Sequence, residues 1–165
     1  MLKTFLLSST ILLGIAAQAR AADEEAAEVG REIGAVLGWR LGPEALEEHC
    51  RGADPDGAKV RADALKAWQQ KNDARIRQVD ERVAEVVALL EQPGSTEDTL
   101  ATVRAQVKAI FLDNVFGAKA LEQVAALCKA EADPSSATWN SNGMPAIQQS
   151  LAALYDWKTK QKKPK

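Results

Sequence analysis

The chain has 165 residues, of which 46% are hydrophobic and 27% are charged. These figures are typical of one ordinary globular domain, and they exclude a disordered charged tail, a collagen-like chain and a polytopic membrane protein. The formal net charge of -2 provides no positive excess over the whole chain, so we do not expect binding to nucleic acid.

The first 21 residues have the pattern of a secretory signal peptide. Lys3 supplies the positive charge, an apolar run covers residues 5–17, and an Ala-Arg-Ala cleavage pattern occupies residues 19–21. The run is shorter than the about 20 residues that a membrane-spanning helix needs, so we expect no transmembrane segment. We expect cleavage near Ala21 and a periplasmic or secreted protein; the alternative is a structural N-terminal helix.

Removal of this segment makes the charge uneven. The remainder has a net charge of -4, and residues 158–165, KTKQKKPK, carry five lysines and no acid. Residues 22–157 therefore carry a net charge of -9. We expect one domain over 22–157 and a flexible basic tail over 158–165, which is either a solvated helix end or a weak contact with an anionic membrane surface or an acidic partner.

Good helix formers dominate the sequence, and no stretch alternates as a strand does. The pattern predicts an all-α, up-and-down bundle of five to six helices with one long central helix, stapled by one disulfide. The central helix over residues 55–91 has an apolar stripe and would be about 55 Å long. In chain order, the first three predicted helices cover residues 24–38, a short segment from Pro43 through Cys50, and residues 55–91. The fourth begins at Ser95 and is interrupted at residues 114–117. The fifth covers residues 118–132, and the last begins near Pro145.

The two cysteines, Cys50 and Cys128, are predicted to form an internal disulfide, because export implies an oxidising compartment. The bridge would close a loop of about 79 residues and contribute up to about 4.5 kcal/mol in the chain-entropy model. Two free buried thiols and an intermolecular bridge are the alternatives. Neither cysteine belongs to a C-x-x-C pair, so we expect no metal site and no redox site.

The most unusual local pattern is a row of glycines at a spacing of four: Gly30, Gly34, Gly38 and Gly42. A glycine inside a helix costs about 1 kcal/mol relative to alanine, so such a row requires a reason. The first three share a helix face and would let another helix approach closely. That helix belongs to the same chain, to a second copy or to a partner; an irregular segment is the remaining alternative.

Four further residues are candidates for binding. Trp39 and Arg40 follow the glycines directly, and Trp139 lies in the predicted polar loop over residues 133–143. Tryptophan and arginine are enriched in binding hot spots, although tryptophan also packs in cores. Asn72 falls on the apolar stripe of the predicted long helix, where it is either a register-fixing amide or the lining of a polar cavity.

Catalytic residues are harder to assign. A Ser-His-Asp triad would have to use His49, the single histidine, and the sequence contains no zinc-protease, P-loop, dinucleotide-binding or heme-attachment motif. We therefore predict no catalytic residue, no metal and no cofactor, and we expect a non-enzymatic protein.

Residues 103–123, VRAQVKAIFLDNVFGAKALEQ, resemble a helix of the secreted all-helical chorismate mutases. That family combines an aromatic-rich stretch with an Ala-Lys pair and a later Gln, and the matching positions here are Ala118, Lys119 and Gln123. The resemblance implies a helical enzyme acting on a dianionic substrate. The family's arginine-rich first-helix pattern is not recognisable here, so the cationic clamp for that substrate is missing.

Two functional hypotheses follow. The first is an exported, non-enzymatic helical protein that binds an envelope macromolecule or itself, similar in general plan to acid-stress chaperones and to immunity proteins. The second is a small-ligand-binding or enzymatic bundle, such as a chorismate-mutase-like protein, with a polar cavity near Asn72. Converging arginine, lysine and glutamate side chains would favour the second hypothesis.

Overall fold

A computed structural model describes residues 8–90, 96–140 and 144–161, with side chains from Glu24 onward except those of Thr96 and Met144. The all-α prediction is confirmed, since this part of the chain contains helices and no strand. The helices are α1 (Ser8–Ala53), α2 (Ala58–Leu90), α3 (Thr96–Phe116), α4 (Leu121–Ala130), α5 (Ala137–Asn140) and α6 (Met144–Gln161).

The predicted break between the first two helices is wrong, because α1 continues through Pro43. A proline inside a helix removes a hydrogen-bond donor and costs about 3 kcal/mol. Here the burial of this part of α1 offsets that cost. Pro43 and its neighbour Gly42 are buried. On either side of them, Leu41 belongs to one core cluster and Leu46 belongs to another. Burial on several faces of the helix outweighs the local preference to stop.

The bundle has two long central helices, where the sequence pattern predicted one. α2 is the helix expected from the apolar stripe, and it contacts α1, α3, α5 and α6. α1 contacts α2, α3, α4 and α6. Each long helix therefore contacts at least four other helices, and together they determine where the shorter helices pack.

The core consists of two clusters. One lies between α1, α2 and α6 and includes Val36, Val83 and Leu154, each of which is inaccessible to solvent. The other surrounds the disulfide and includes Trp68 and Phe116. The partly buried side chain of Trp39 packs against both clusters, so this residue connects them.

The predicted disulfide is present, and it links Cys50 near the end of α1 to Cys128 in α4. Beside it lies Arg61, whose side chain is completely buried. Its guanidinium donates hydrogen bonds to the carboxylate of Asp54 at 2.5 Å and to the backbone carbonyls of Cys50 and Cys128, each at 3.0 Å. These carbonyls belong to the last turns of two helices, which carry partial negative charge. Arg61 therefore caps α1 and α4 together.

The C-terminal region differs from prediction in two respects. The short helix α5 interrupts the predicted polar loop over residues 133–143. The helix α6 continues to Gln161, so the first four residues of the predicted basic tail are helical, and Lys158 forms an ion pair with Glu85 at 2.5 Å. The remaining tail residues lie outside the described part of the chain. Among the described helices, none is long and apolar enough to cross a membrane.

Candidate functional site

The glycine row divides into two parts. A Cβ atom added at Gly30, Gly34 or Gly38 would have no described atom within 4 Å, whereas one added at Gly42 would lie 2.8 Å from the Phe111 ring. Among the described residues of the row, close packing within the chain is therefore seen at Gly42, against Phe111 of α3. We call Gly30, Gly34 and Gly38 the glycine face; no described side chain fills the space above it.

The glycine face ends at a groove of about 310 Å³, which we call the aromatic groove. Trp39 and Trp68 form one wall, with ring centroids 5.2 Å apart and planes inclined at 55°, a tilted arrangement favourable for aromatic rings. Gly38 adds no side chain beside Trp39, which is half-buried, whereas Trp68 is buried. The complete lining is Gly38, Trp39, Pro43, Trp68, Phe111, Ala137 and Thr138.

Sequence reasoning found Gly38 and Trp39 but missed Trp68 and Phe111. Trp68 lies on the apolar stripe of α2 and is 3% exposed, so its pattern is that of a core residue. Phe111 reaches the groove because Gly42 leaves room for its ring. No local signal in the sequence connects these positions, since the groove forms only when α3 packs on α1.

Trp139, the other tryptophan candidate, belongs to the core. It is 5% exposed, and its indole N–H donates a hydrogen bond to the backbone carbonyl of Glu131 at 2.9 Å. The partner that a buried indole requires is thus supplied within the chain. Little of its surface is left for contact with another molecule.

Asn72 is half-buried, and its amide donates a hydrogen bond to the backbone carbonyl of Trp68 at 2.9 Å, one turn earlier in the same helix. Its side chain does not line the aromatic groove. The amide of Asn72 thus has a hydrogen-bond partner within its own helix, and charged side chains converge elsewhere on α2.

Those charged side chains surround Arg40. Its guanidinium donates to Glu44 at 2.8 Å and to Asp80 of α2 at 3.3 Å, and Asp80 also accepts from Arg104 of α3 at 3.3 Å. Burial alone lowers the pKa of Arg40, but the hydrogen bonds and charges of Glu44 and Asp80 outweigh burial, and the pKa is raised. Glu44 and Asp80 therefore stabilise the charged form of Arg40.

A cavity of about 420 Å³ lies above these ion pairs, and we call it the polar groove. Although Trp39 and Arg40 are adjacent in sequence, the structure places them in different grooves, because consecutive helix residues point about 100° apart. The two residues therefore face different grooves and do not form one continuous surface. The polar groove is lined by Arg40, Leu41, Glu44, Asp80, Arg104, Ala105 and Lys108.

The residues matched to the chorismate mutases lie at the turn between α3 and α4. The ammonium of Lys119 donates to the backbone carbonyl of Val115, and the side-chain oxygen of Gln123 accepts from the backbone N–H of Ala120 at 3.1 Å. Lys119 and Gln123 are exposed, and neither lines the polar or the aromatic groove. Their visible role is to stabilise the turn.

The described part of the chain contains no group of three or more histidine, cysteine, aspartate or glutamate residues arranged to hold a metal ion. No known family model, curated protein or solved structure matches the chain. Functional assignment therefore depends on the geometry of the two grooves.

Proposed function

We propose that the protein is an exported, non-enzymatic binding protein of the cell envelope that holds a helical segment of a protein partner on the glycine face. The observation that supports this proposal is the open row of glycines that leads into the aromatic groove. Three glycines inside one helix together cost about 3 kcal/mol relative to alanine. No described contact within the chain offsets that cost.

The dimensions of the surface suit a helix. Gly30 and Gly38 are eight residues apart, which is about 12 Å along the axis of α1, or a little more than two helical turns. A row of glycines allows the backbone of a second helix to approach closely. A large apolar side chain from that helix would enter the aromatic groove beside Trp39, as an anchor residue does in helix-in-groove recognition.

Export is the second component of the proposal. It is supported by the signal-peptide pattern of the first 21 residues and by the disulfide between Cys50 and Cys128, a bond that persists in oxidising compartments. N-terminal sequencing of protein recovered from the envelope fraction tests it. A chain recovered from the cytoplasm with Met1 intact and both thiols reduced would contradict it.

The binding proposal is tested by filling the groove. Gly38→Leu adds a side chain where no described atom lies within 4 Å, so it should fold normally and block the partner. Gly52→Leu is the matched control, because Gly52 is in the same helix and has the same open space. In capture experiments with envelope extract, we expect Gly38→Leu to abolish capture and Gly52→Leu to retain it.

A substitution in the groove wall provides an independent test. Trp39→Ala should weaken capture about tenfold or more, which is the effect of removing a hot-spot tryptophan. Equal capture by the wild type, Gly38→Leu and Trp39→Ala would contradict the proposal. If the wild type sediments as a dimer and Gly38→Leu as a monomer, the partner is a second copy of this chain.

A further inference from the structure

The polar groove contains more hydrogen-bond donors than its carboxylates use. Arginine has five N–H donors and lysine has three. Within the described chain, Arg104 donates one hydrogen bond, to Asp80 at 3.3 Å, and Lys108 approaches only Glu48, at 3.7 Å. Both distances exceed the about 2.7–2.9 Å typical of a charge-assisted hydrogen bond. These two cations are therefore incompletely paired.

Both carboxylates of the groove already accept hydrogen bonds from other side chains. Glu44 accepts from Arg40 at 2.8 Å and from the amide of Gln69 at 2.9 Å. Asp80 is shared between Arg40 and Arg104. Among the lining residues, the three cations Arg40, Arg104 and Lys108 outnumber the two carboxylates, Glu44 and Asp80, by one. The excess charge lies on α3, where the only described carboxylate near Lys108 is Glu48, at 3.7 Å.

The positions of the two cations favour a single ligand. Arg104 and Lys108 are four residues apart on α3, and side chains at this spacing are neighbours on one helix face. They are 41% and 35% exposed, so a ligand can reach them from solvent. Leu41 and Ala105 add apolar surface to the lining.

We propose that the polar groove binds a small oxyanion, a carboxylate or a phosphate, between Arg104 and Lys108. Arg40 contributes a third positive charge behind them, and Asp80 is a positioning residue that orients the two guanidinium groups. The cavity of about 420 Å³ accommodates a small metabolite. Because Glu44 and Asp80 also line it, an anion that carries a hydroxyl or ammonium donor is favoured over one without a donor.

Isothermal titration calorimetry of the purified protein with malate and with inorganic phosphate, at constant ionic strength and with chloride as reference, tests this proposal. We expect saturable binding of malate or phosphate; the one that binds identifies the class of anion. Arg104→Gln and Lys108→Gln should each weaken that binding about tenfold or more, the effect of losing a charged hydrogen bond. Lys71→Gln, at an exposed lysine of α2, is the control and should bind as the wild type does.

Circular dichroism and thermal melting will show whether the two variants are folded, which we expect because both residues are partly exposed. Three results would overturn the proposal: no saturable binding of either anion up to about 50 mM, an equal response to chloride, or unchanged affinity in folded Arg104→Gln and Lys108→Gln. The result for anion binding can be distinguished from the result for partner capture, because each has its own variant. Gly38→Leu should leave anion binding intact, and Arg104→Gln should leave capture intact.

Discussion

The end of α1 that carries the disulfide and the stretch of α1 that carries the glycine face are built in different ways. At the disulfide end, Cys50 is bonded covalently to Cys128, and the buried Arg61 joins the carbonyls of both residues. At the glycine face, a Cβ atom added at any of the three glycines would have no described atom of another element within 4 Å. One region is completed by contacts within the chain, whereas the other leaves a surface open. The first region therefore contributes to stability, and the second is the surface on which we propose that a partner binds.

The largest expected effect is at the disulfide end. Arg61→Ala would leave the carboxylate of Asp54 without its partner and the carbonyl of Cys128 without the guanidinium donor, whereas the carbonyl of Cys50 would keep only the backbone N–H of Asp54. Removing one member of a buried ion pair costs about 3–5 kcal/mol, and we expect about 3 kcal/mol here because Asp54 is partly exposed. Urea denaturation monitored by circular dichroism measures the loss.

Arg77→Ala is the matched control, because Arg77 is in the same helix and forms an ion pair with Asp73 that is exposed to solvent. An exposed pair contributes about 0–1 kcal/mol, so this variant should be close to the wild type. Equal destabilisation by the two substitutions would show that Arg61 is not a structural cap. The assignment of this end of the molecule to stability would then be wrong.

The second prediction concerns Gly42, the one glycine of the row that packs against another helix of the chain. Gly42→Ala places a Cβ atom 2.8 Å from the Phe111 ring, and overpacking of this kind costs about 1–3 kcal/mol. Alanine regains about 1 kcal/mol of helix propensity, so the net loss should be about 1 kcal/mol. The double variant Gly42→Ala/Phe111→Leu should cancel the clash. A stable single variant would show that α3 is not held closely against α1.

The sequence alone was sufficient for the fold class, the disulfide and most of the helices, because these depend on periodicity and composition. It failed at Pro43, where burial on several faces of α1 overrides a strong local signal. It also missed Arg61 and the polar groove. Asp80 is 40 residues from Arg40 and 24 from Arg104, so no local spacing reveals that these side chains meet. The periodicity of a helix predicts which of its residues are buried, but it does not predict which charged residues of different helices form ion pairs.

The smallest expected effect is also the one that bears most directly on function. Gly34→Ala should raise the free energy of unfolding by up to about 1 kcal/mol, because alanine favours the helix and its Cβ meets no described atom. Thermal melting and urea denaturation measure the gain. Gly52→Ala, at an equally open position outside the glycine face, should stabilise similarly and is the control. If Gly34→Ala destabilises while Gly52→Ala does not, another part of the chain covers the face, and the proposed partner has no place to bind. If both substitutions stabilise the protein and only Gly34→Ala weakens capture, the glycine at position 34 lowers stability but is required for binding.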